Sequence, residues 1–170
     1  MVHEADASGR IGVPRSRAAE RRLGFPGENR RGEEGGAALI VADSNLIASC
    51  VLESEATSAA LKLREKDADW RVPRLWRYEV MNIFATMIKA GRLSRIVAES
   101  IYNQLLAVLR PQEKDSDPSV VLSLVEEYGI SGYDAQFVAL AIELGVPLYT
   151  QDRELLKKFP KVTRSFYVRR

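Results

Sequence analysis

One stretch of the sequence, from residue 131 to residue 152, constrains the fold more than any other. Its letters, SGYDAQFVALAIELGVPLYTQD, describe an apolar helix that ends at Gly145 and an apolar strand, VPLYT, that follows at once. Glycine is favoured just beyond a helix, and a short apolar run between turn residues is typical of a buried strand. Asp134 lies at the start of the helix and Asp152 shortly after the strand. The stretch therefore predicts a helix–strand unit of a covered sheet with an aspartate at each end.

The same alternation of strand and helix continues through the rest of the chain. Residues 37 to 42 are an apolar run that leads into Asp43, WRVP is a second short strand, and RSFYV is a candidate last strand. Strands that alternate with helices are typical of the α/β class, with a parallel sheet covered on both faces. The helices between them have recognisable ends. Their predicted N-caps and terminating glycines are Ser54, Ser94, Asp117, Gly91, Gly129 and Gly145.

Composition separates a short N-terminal segment from the folded unit. Residues 1–36 contain seven arginines and six acids with few large apolar side chains. Such a segment cannot bury enough surface to offset its ordering entropy, which predicts a disordered extension or a start codon chosen too far upstream. Residues 37–170 then form a single domain, which suits their length.

The rare residue types exclude several kinds of chemistry. The one histidine, His3, lies in the N-terminal segment, so a Ser-His-Asp triad has no expected base. The single cysteine, Cys50, excludes an internal disulfide and a cysteine zinc site, and we expect it to be a buried apolar side chain. No run of 18 apolar residues suggests a membrane span, and a cytoplasmic protein is expected. The net charge of +2 is too small to indicate a nucleic-acid partner by itself.

Four carboxylates are expected near one edge of the sheet. Ligands of open parallel sheets bind beyond the carboxyl ends of the strands, where Asp43 and Asp152 directly follow strands and Asp134 opens the helix before one. Glu79 lies within a helix on the same stripe as Ile83, away from the obvious solvent face. Each acid has a simpler interpretation, since aspartate is a favoured N-cap and an acid stabilises a helix start. Glu79 could also be an exposed residue paired with a cation.

Taken together, the acids favour a cation site. Like-charged carboxylates held close together repel one another unless a cation neutralises them. Mg²⁺ and Mn²⁺ prefer carboxylate and water ligands. A bound ion lowers the pKa of its water, which can then attack a phosphodiester, and this chemistry requires no histidine.

Three stretches together resemble the successive motifs of PIN-domain ribonucleases, and most closely the VapC-like toxins: IVADSNLIA, VPRLWRYEVMNIF and GYDAQFVALAIELGVPLYTQD. The resemblance covers roughly residues 38 to 168. It implies a three-layer α/β/α fold with a central parallel sheet and Mg²⁺- or Mn²⁺-dependent cleavage of RNA. By motif position, it implies that four acids are catalytic and metal-binding, namely Asp43, Glu79, Asp134 and Asp152. It also implies three supporting polar residues, namely Asn45, Asn82 and Thr150.

The resemblance implies partners as well as an activity. It implies an RNA substrate cut by an endoribonuclease, a cognate antitoxin protein that blocks the acidic site, and a homodimer. The family's first strand usually begins within a few residues of the initiating methionine, so residues 1–36 depart from the pattern. Nothing in the sequence selects one class of RNA as the target.

Four residues next to the acids are candidates for RNA contact. Arginines can bind phosphates and an aromatic ring can stack on an unpaired base, so the candidates are Arg74, Arg77, Arg153 and Trp76. The alternative is that Trp76 belongs to the core and the arginines solvate helix ends. A nearby apolar stripe is interpreted as core or dimer surface; it comprises Met81, Phe84, Met87 and Ile88.

Two other functions compete with a nuclease. An aspartyl-phosphate phosphatase would need a second aspartate two positions after Asp43, where Asn45 stands instead, so this class is disfavoured. A catalytically silent PIN-like module would bind RNA or a protein without cutting. It would be recognised by RNA binding that persists without metal and without cleavage.

Overall fold

The computed structural model describes residues 39–67 and 69–167 and centres on a four-stranded parallel sheet. The strand order is β2-β1-β3-β4, and all three pairings are parallel. Crossover connections are required between parallel strands, and helices provide them here. The strands are β1 (Ile40–Ala42), β2 (Trp70–Arg71), β3 (Leu148–Tyr149) and β4 (Thr163–Arg164).

Seven α-helices connect and cover the strands within the described residues. Two follow β1, two follow β2, two lead into β3 and a short one leads into β4. They are α1 (Ser44–Val51), α2 (Thr57–Lys66), α3 (Trp76–Lys89), α4 (Arg95–Leu109), α5 (Pro118–Tyr128), α6 (Gly132–Leu144) and α7 (Arg153–Lys158). A single 3₁₀ turn at Arg110–Gln112 follows α4.

The central strand β1 shows why helices cover both faces of the sheet. All three of its residues are buried, and successive side chains of a strand point to opposite faces. Ile40 and Ala42 join a core with residues of α1, α3 and α4. Val41 joins a second core with residues of α5, α6 and α7. The predicted α/β class and the three-layer arrangement are confirmed.

The predicted helix ends are largely confirmed. Ser94 and Asp117 accept hydrogen bonds from backbone amides at the starts of α4 and α5. Gly129 and Gly145 follow α5 and α6 with φ of 61° and 66°, a left-handed conformation that glycine adopts without steric cost. The α6–β3 unit therefore has the boundaries that its sequence predicts.

Two predicted element boundaries are wrong. Ser54 does not cap α2, which begins at Thr57; instead the Thr57 hydroxyl accepts from the Ser54 amide and donates to the Leu52 carbonyl. These two bonds stabilise a turn before the helix can start. The last strand is Thr163–Arg164 rather than RSFYV, because the backbone amides of Leu148 and Thr150 bond to the carbonyls of residues 162 and 164.

The structure also tests the expectations for Cys50, for the apolar stripe on α3 and for membrane-spanning segments. Cys50 is buried, and burial raises the pKa of its thiol to about 12. Phe84 of the apolar stripe is core, whereas Met81 and Ile88 are partly exposed in a groove between α3 and α4. The interpretation of residues 1–36 lies outside the described residues. Across the described ranges, no helix has the length and apolar character that crossing a bilayer requires.

Candidate active site

The pairing of β1 with β3 brings two predicted site residues into direct contact. Ala42 lies opposite Tyr149, so the next residues of the two strands, Asp43 and Thr150, leave the same edge of the sheet side by side. The Thr150 hydroxyl donates to Asp43 Oδ2 over 2.6 Å. The same hydroxyl oxygen accepts from the Asp152 amide over 2.9 Å. One buried hydroxyl thus links the two strand ends that carry the first and last acids.

Asp43 is a buried carboxylate rather than an ordinary cap. It is only 8% exposed and stands at the N-cap position of α1, yet its side chain makes no capping hydrogen bond. Burial raises the pKa of Asp43, because a charged carboxylate loses hydration there, and the hydrogen bond from Thr150 opposes that rise. A capping role at α1 does not by itself explain why the Asp43 carboxylate is buried and bonded to Thr150.

Glu79 reaches the same edge from helix α3. It lies in the first turn of the helix and is half-buried, and the Ser44 hydroxyl donates to Glu79 Oε2 over 2.5 Å. Burial is the main cause that raises the pKa of Glu79, and the negative charges of Asp43 and Asp134 raise it further. Glu79 is therefore electrostatically coupled to both aspartates and is not paired with a lysine or arginine in the described part of the chain.

The other two acids both make local bonds at helix starts. Ser131, not Asp134, is the N-cap of α6; its hydroxyl accepts from the Asp134 amide and lies 2.6 Å from Asp134 Oδ2, to which it donates. Asp152 is the N-cap of α7 and accepts from the Leu155 amide over 2.8 Å. The capping interpretation is correct for Asp152, whereas the Asp134 carboxylate caps no backbone amide and accepts only from the Ser131 hydroxyl. Both acids nevertheless lie at the helix ends next to the strand edge.

The donor set suits a hard cation. Within residues 39–67 and 69–167, no three acid, histidine or cysteine side chains already converge as a metal-binding group. Mg²⁺ does not require three, because it is commonly bound through one or two carboxylates with waters in the remaining positions. Asp43 and Glu79 are two such carboxylates, both with raised pKa values and each hydrogen-bonded to a hydroxyl. Their oxygen chemistry and unneutralised charge fit the ion.

The three supporting polar residues differ in position. Thr150 is fully buried and bonds to Asp43, as described above. Asn45 lies exposed on α1, and Asn82 lies exposed on α3 one turn after Glu79. The structure adds two hydroxyls that the sequence interpretation missed, Ser44 and Ser131. A local signal existed for each, since one directly follows Asp43 and the other stands three residues before Asp134.

Most of the proposed RNA-contact residues are occupied by acids of this chain. Trp76 is fully buried and its indole N–H donates to Glu113 over 2.9 Å, so the alternative interpretation, in which Trp76 belongs to the core, is confirmed. Arg77 pairs with the same carboxylate and Arg74 pairs with Asp115. Arg153 differs from both arginines, because it is exposed and has no ion pair among the described residues.

Comparison with known proteins identifies the family. Residues 40–162 match the PIN domain. Ribonuclease VapC3 of Pyrobaculum aerophilum is 28% identical over 124 residues, which are 71% of this chain and 95% of that protein. Exonuclease VapC9 of the same organism is 36% identical over 100 residues, which are 58% of this chain and 71% of that protein.

A solved structure agrees with the sequence comparison. The crystal structure of PAE2754 from Pyrobaculum aerophilum superposes with a TM-score of 0.57 at 28% identity, covering 75% of this chain and 90% of that one. The segment that matches the PIN domain contains β1, β2 and β3 and every predicted site acid, and it ends directly before β4. The chain belongs to the PIN-domain family.

Proposed function

We propose that this protein is a metal-dependent endoribonuclease of the VapC-like type. The observation that carries the proposal is the buried Asp43, which has a raised pKa, shares an edge with Glu79 and pairs with no lysine or arginine among the described residues. An enzyme site commonly keeps such an unneutralised carboxylate for a ligand or a metal. The name of one relative, Ribonuclease VapC3, which is matched over 124 residues, supports RNA as the substrate.

Each acid has a role in this proposal. Asp43, Glu79 and Asp134 would hold a Mg²⁺ or Mn²⁺ ion directly or through water, and Asp152 would complete the site. The ion supplies charge neutralisation and water activation when bound. Thr150 holds the Asp43 carboxylate in place, and Ser44 does the same for Glu79. The buried edge excludes bulk water from one side of each carboxylate, which strengthens its interaction with charge.

The first test is RNA cleavage by Asp43→Asn. We expect cleavage in Mg²⁺ or Mn²⁺ to fall by on the order of a hundredfold or more, because the amide removes the buried negative charge. The matched control is Asp117→Asn, an exposed N-cap on α5 outside the acid edge. Cleavage should be measured on labelled RNA with purified, folded proteins. Wild-type rates in Asp43→Asn would reject the assignment.

A second assay separates endonuclease from exonuclease action, since one relative carries each kind of name. We expect a circular RNA without ends to be opened in the presence of Mg²⁺. An intact circle alongside degraded linear RNA would favour an exonuclease. RNA binding without cleavage of either substrate, and without dependence on metal, would favour the alternative of a catalytically silent module.

We also propose that the protein is the toxin of a toxin–antitoxin pair, with a cognate antitoxin and a homodimeric state. The family membership and the VapC names of the two relatives support this. Induced expression should arrest growth in the wild type and not in Asp43→Asn, and coexpression of a neighbouring small open reading frame should restore growth. Light scattering of the purified protein tests the dimer.

A further inference from the structure

A wide cavity opens beside the acid edge and is not used by the proposed chemistry. Its volume is about 700 Å³, which lies within the range of roughly 300–1,000 Å³ typical of small-ligand sites. It reaches the acid edge through Asn45 and Asp152, which belong to both. The remaining walls come from α1, from the turn before α2, from the start of α7 and from the end of the described chain. The side chains that line the cavity include Ser49, Ser54, Glu55, Gln151, Arg153 and Tyr167.

The lining combines the groups that bind a nucleotide. Amide and hydroxyl side chains such as Ser49 and Gln151 can both donate to and accept from a base edge. Arg153 is exposed and has no ion pair among the described residues, so its charge is available to a phosphate. This separates Arg153 from Arg74 and Arg77, whose charges are neutralised by acids of this chain.

A hydrogen-bonded chain positions the aromatic wall of the cavity. Gln151 Nε2 donates to the Ser165 hydroxyl over 3.1 Å, and that hydroxyl donates to the Tyr167 carbonyl over 2.7 Å. The Tyr167 hydroxyl is 3.4 Å from Glu55 Oε2. These contacts hold the Tyr167 backbone and place its ring end beside Glu55. A held aromatic ring is a stacking surface for an unpaired base, at little cost in side-chain entropy.

We propose that this cavity holds the unpaired nucleotide next to the scissile phosphate of the RNA. Arg153, adjacent to Asp152, binds the phosphate of that nucleotide, and Tyr167 stacks on its base. The inference rests on the proposed ribonuclease function and adds the residues that receive this nucleotide.

The test measures RNA affinity where cleavage cannot interfere. A fluorescein-labelled single-stranded RNA of ten nucleotides is titrated with Asp43→Asn protein, and anisotropy is recorded. We expect Tyr167→Leu in that background to weaken binding by on the order of tenfold, and Tyr167→Phe to keep binding within about twofold because the ring remains. Tyr78→Leu is the matched control, since Tyr78 is an exposed tyrosine on α3 outside the cavity. Equal affinities for Tyr167→Leu and Tyr78→Leu would overturn the proposal.

Arg153 provides a second measurement that does not depend on packing, because its side chain is exposed. In Arg153→Gln, the slope of log affinity against log salt should become shallower by about 0.7, as expected for one lost phosphate contact on a single strand. Arg95→Gln, which removes an exposed arginine paired with Glu99, should keep the wild-type slope. An unchanged slope in Arg153→Gln would contradict the phosphate contact.

Failure of this inference can be distinguished from failure of the proposed function. If Asp43→Asn abolishes cleavage but Tyr167→Leu and Arg153→Gln bind RNA normally, the nuclease stands and the cavity is not its nucleotide site. If Asp43→Asn cleaves RNA at the wild-type rate, the acid site itself is wrong. Absence of any RNA binding by the Asp43→Asn protein would also overturn the cavity proposal, since a nucleotide site must bind RNA without cutting it.

Discussion

Two carboxylates of similar burial, those of Glu113 and Asp43, have very different partners in this fold. The Glu113 side chain is 9% exposed and Asp43 is 8% exposed. Glu113 pairs with the Arg77 guanidinium and accepts from the Trp76 indole N–H. Asp43 is bonded by the neutral hydroxyl of Thr150, and no lysine or arginine pairs with it in the part of the chain that the structure describes.

This difference in partners distinguishes Glu113, the structural carboxylate, from Asp43, the site carboxylate. A buried carboxylate with a cationic partner has its lost hydration offset by that partner, so it stabilises the surrounding packing. A buried carboxylate without one keeps the cost of desolvation, which is why burial raises the pKa of Asp43. Such a cost persists at functional sites because a ligand removes it on binding.

The largest effect is expected from the structural carboxylate. Glu113→Ala should lower the free energy of unfolding by about 2–3 kcal/mol, because it leaves the Arg77 charge and the buried Trp76 N–H without their acceptor. Urea unfolding followed by tryptophan fluorescence measures it. Glu126→Ala, an exposed acid on α5, is the control and should change stability by less than about 0.5 kcal/mol. A loss no larger than that of the control would remove the contrast.

The site carboxylate should respond in the opposite direction. Without metal and with a chelator present, Asp43→Asn should raise the free energy of unfolding by about 1 kcal/mol. The amide keeps an oxygen that can accept from Thr150 and removes the charge that burial disfavours. The measurement is the same urea titration at pH 7.5. Destabilisation comparable to that of Glu113→Ala would show that Asp43 is part of the structural framework.

The stability difference between wild type and Asp43→Asn should depend on pH. The folded-state pKa of Asp43 lies above its ordinary value of 3.8, so protons bind more tightly in the folded state than in the unfolded state. Wild-type folding is therefore favoured at low pH, and this contribution is lost as pH rises through the folded pKa. The difference should be largest above the folded-state pKa of Asp43 and shrink toward zero as pH falls below it. A difference that grows on acidification would contradict the raised pKa.

Local features of the fold were predictable from the sequence. The ends of α4 and α5 follow from Ser94, Asp117 and Gly129, because capping depends on residues within one turn. The positions of Asp43 and Asp152 at one edge follow from two parallel strands that end there. The error at Ser54 is of the same local kind, since a threonine hydroxyl three residues later competed for the turn.

Long-range partners were not predictable. Ser44 lies 35 residues before Glu79, and Glu113 lies 36 residues after Arg77, so their contacts depend on how the helices pack rather than on any local pattern. The same reason explains why Arg77 was a candidate for RNA contact when its charge is already neutralised. Arg153 carries the same charge beside the same edge. Only the contacts in the folded chain distinguish Arg153 from Arg77.

The smallest effect is expected from the coupling between Asp43 and Glu79. Each charge raises the free energy of the other, and the Asp43 charge is among the causes that raise the pKa of Glu79. Glu79→Gln alone should stabilise the metal-free protein by about 0.5 kcal/mol, less than Asp43→Asn because Glu79 is only half-buried and solvent screens it.

The double variant should then gain less than the sum of the two single changes, by roughly 0.3–0.5 kcal/mol, because the repulsion can be relieved only once. Urea titrations of the four proteins of the cycle measure this term, and 1 M NaCl should reduce it. If the two stability changes are strictly additive, the charges of Asp43 and Glu79 do not raise each other's pKa values.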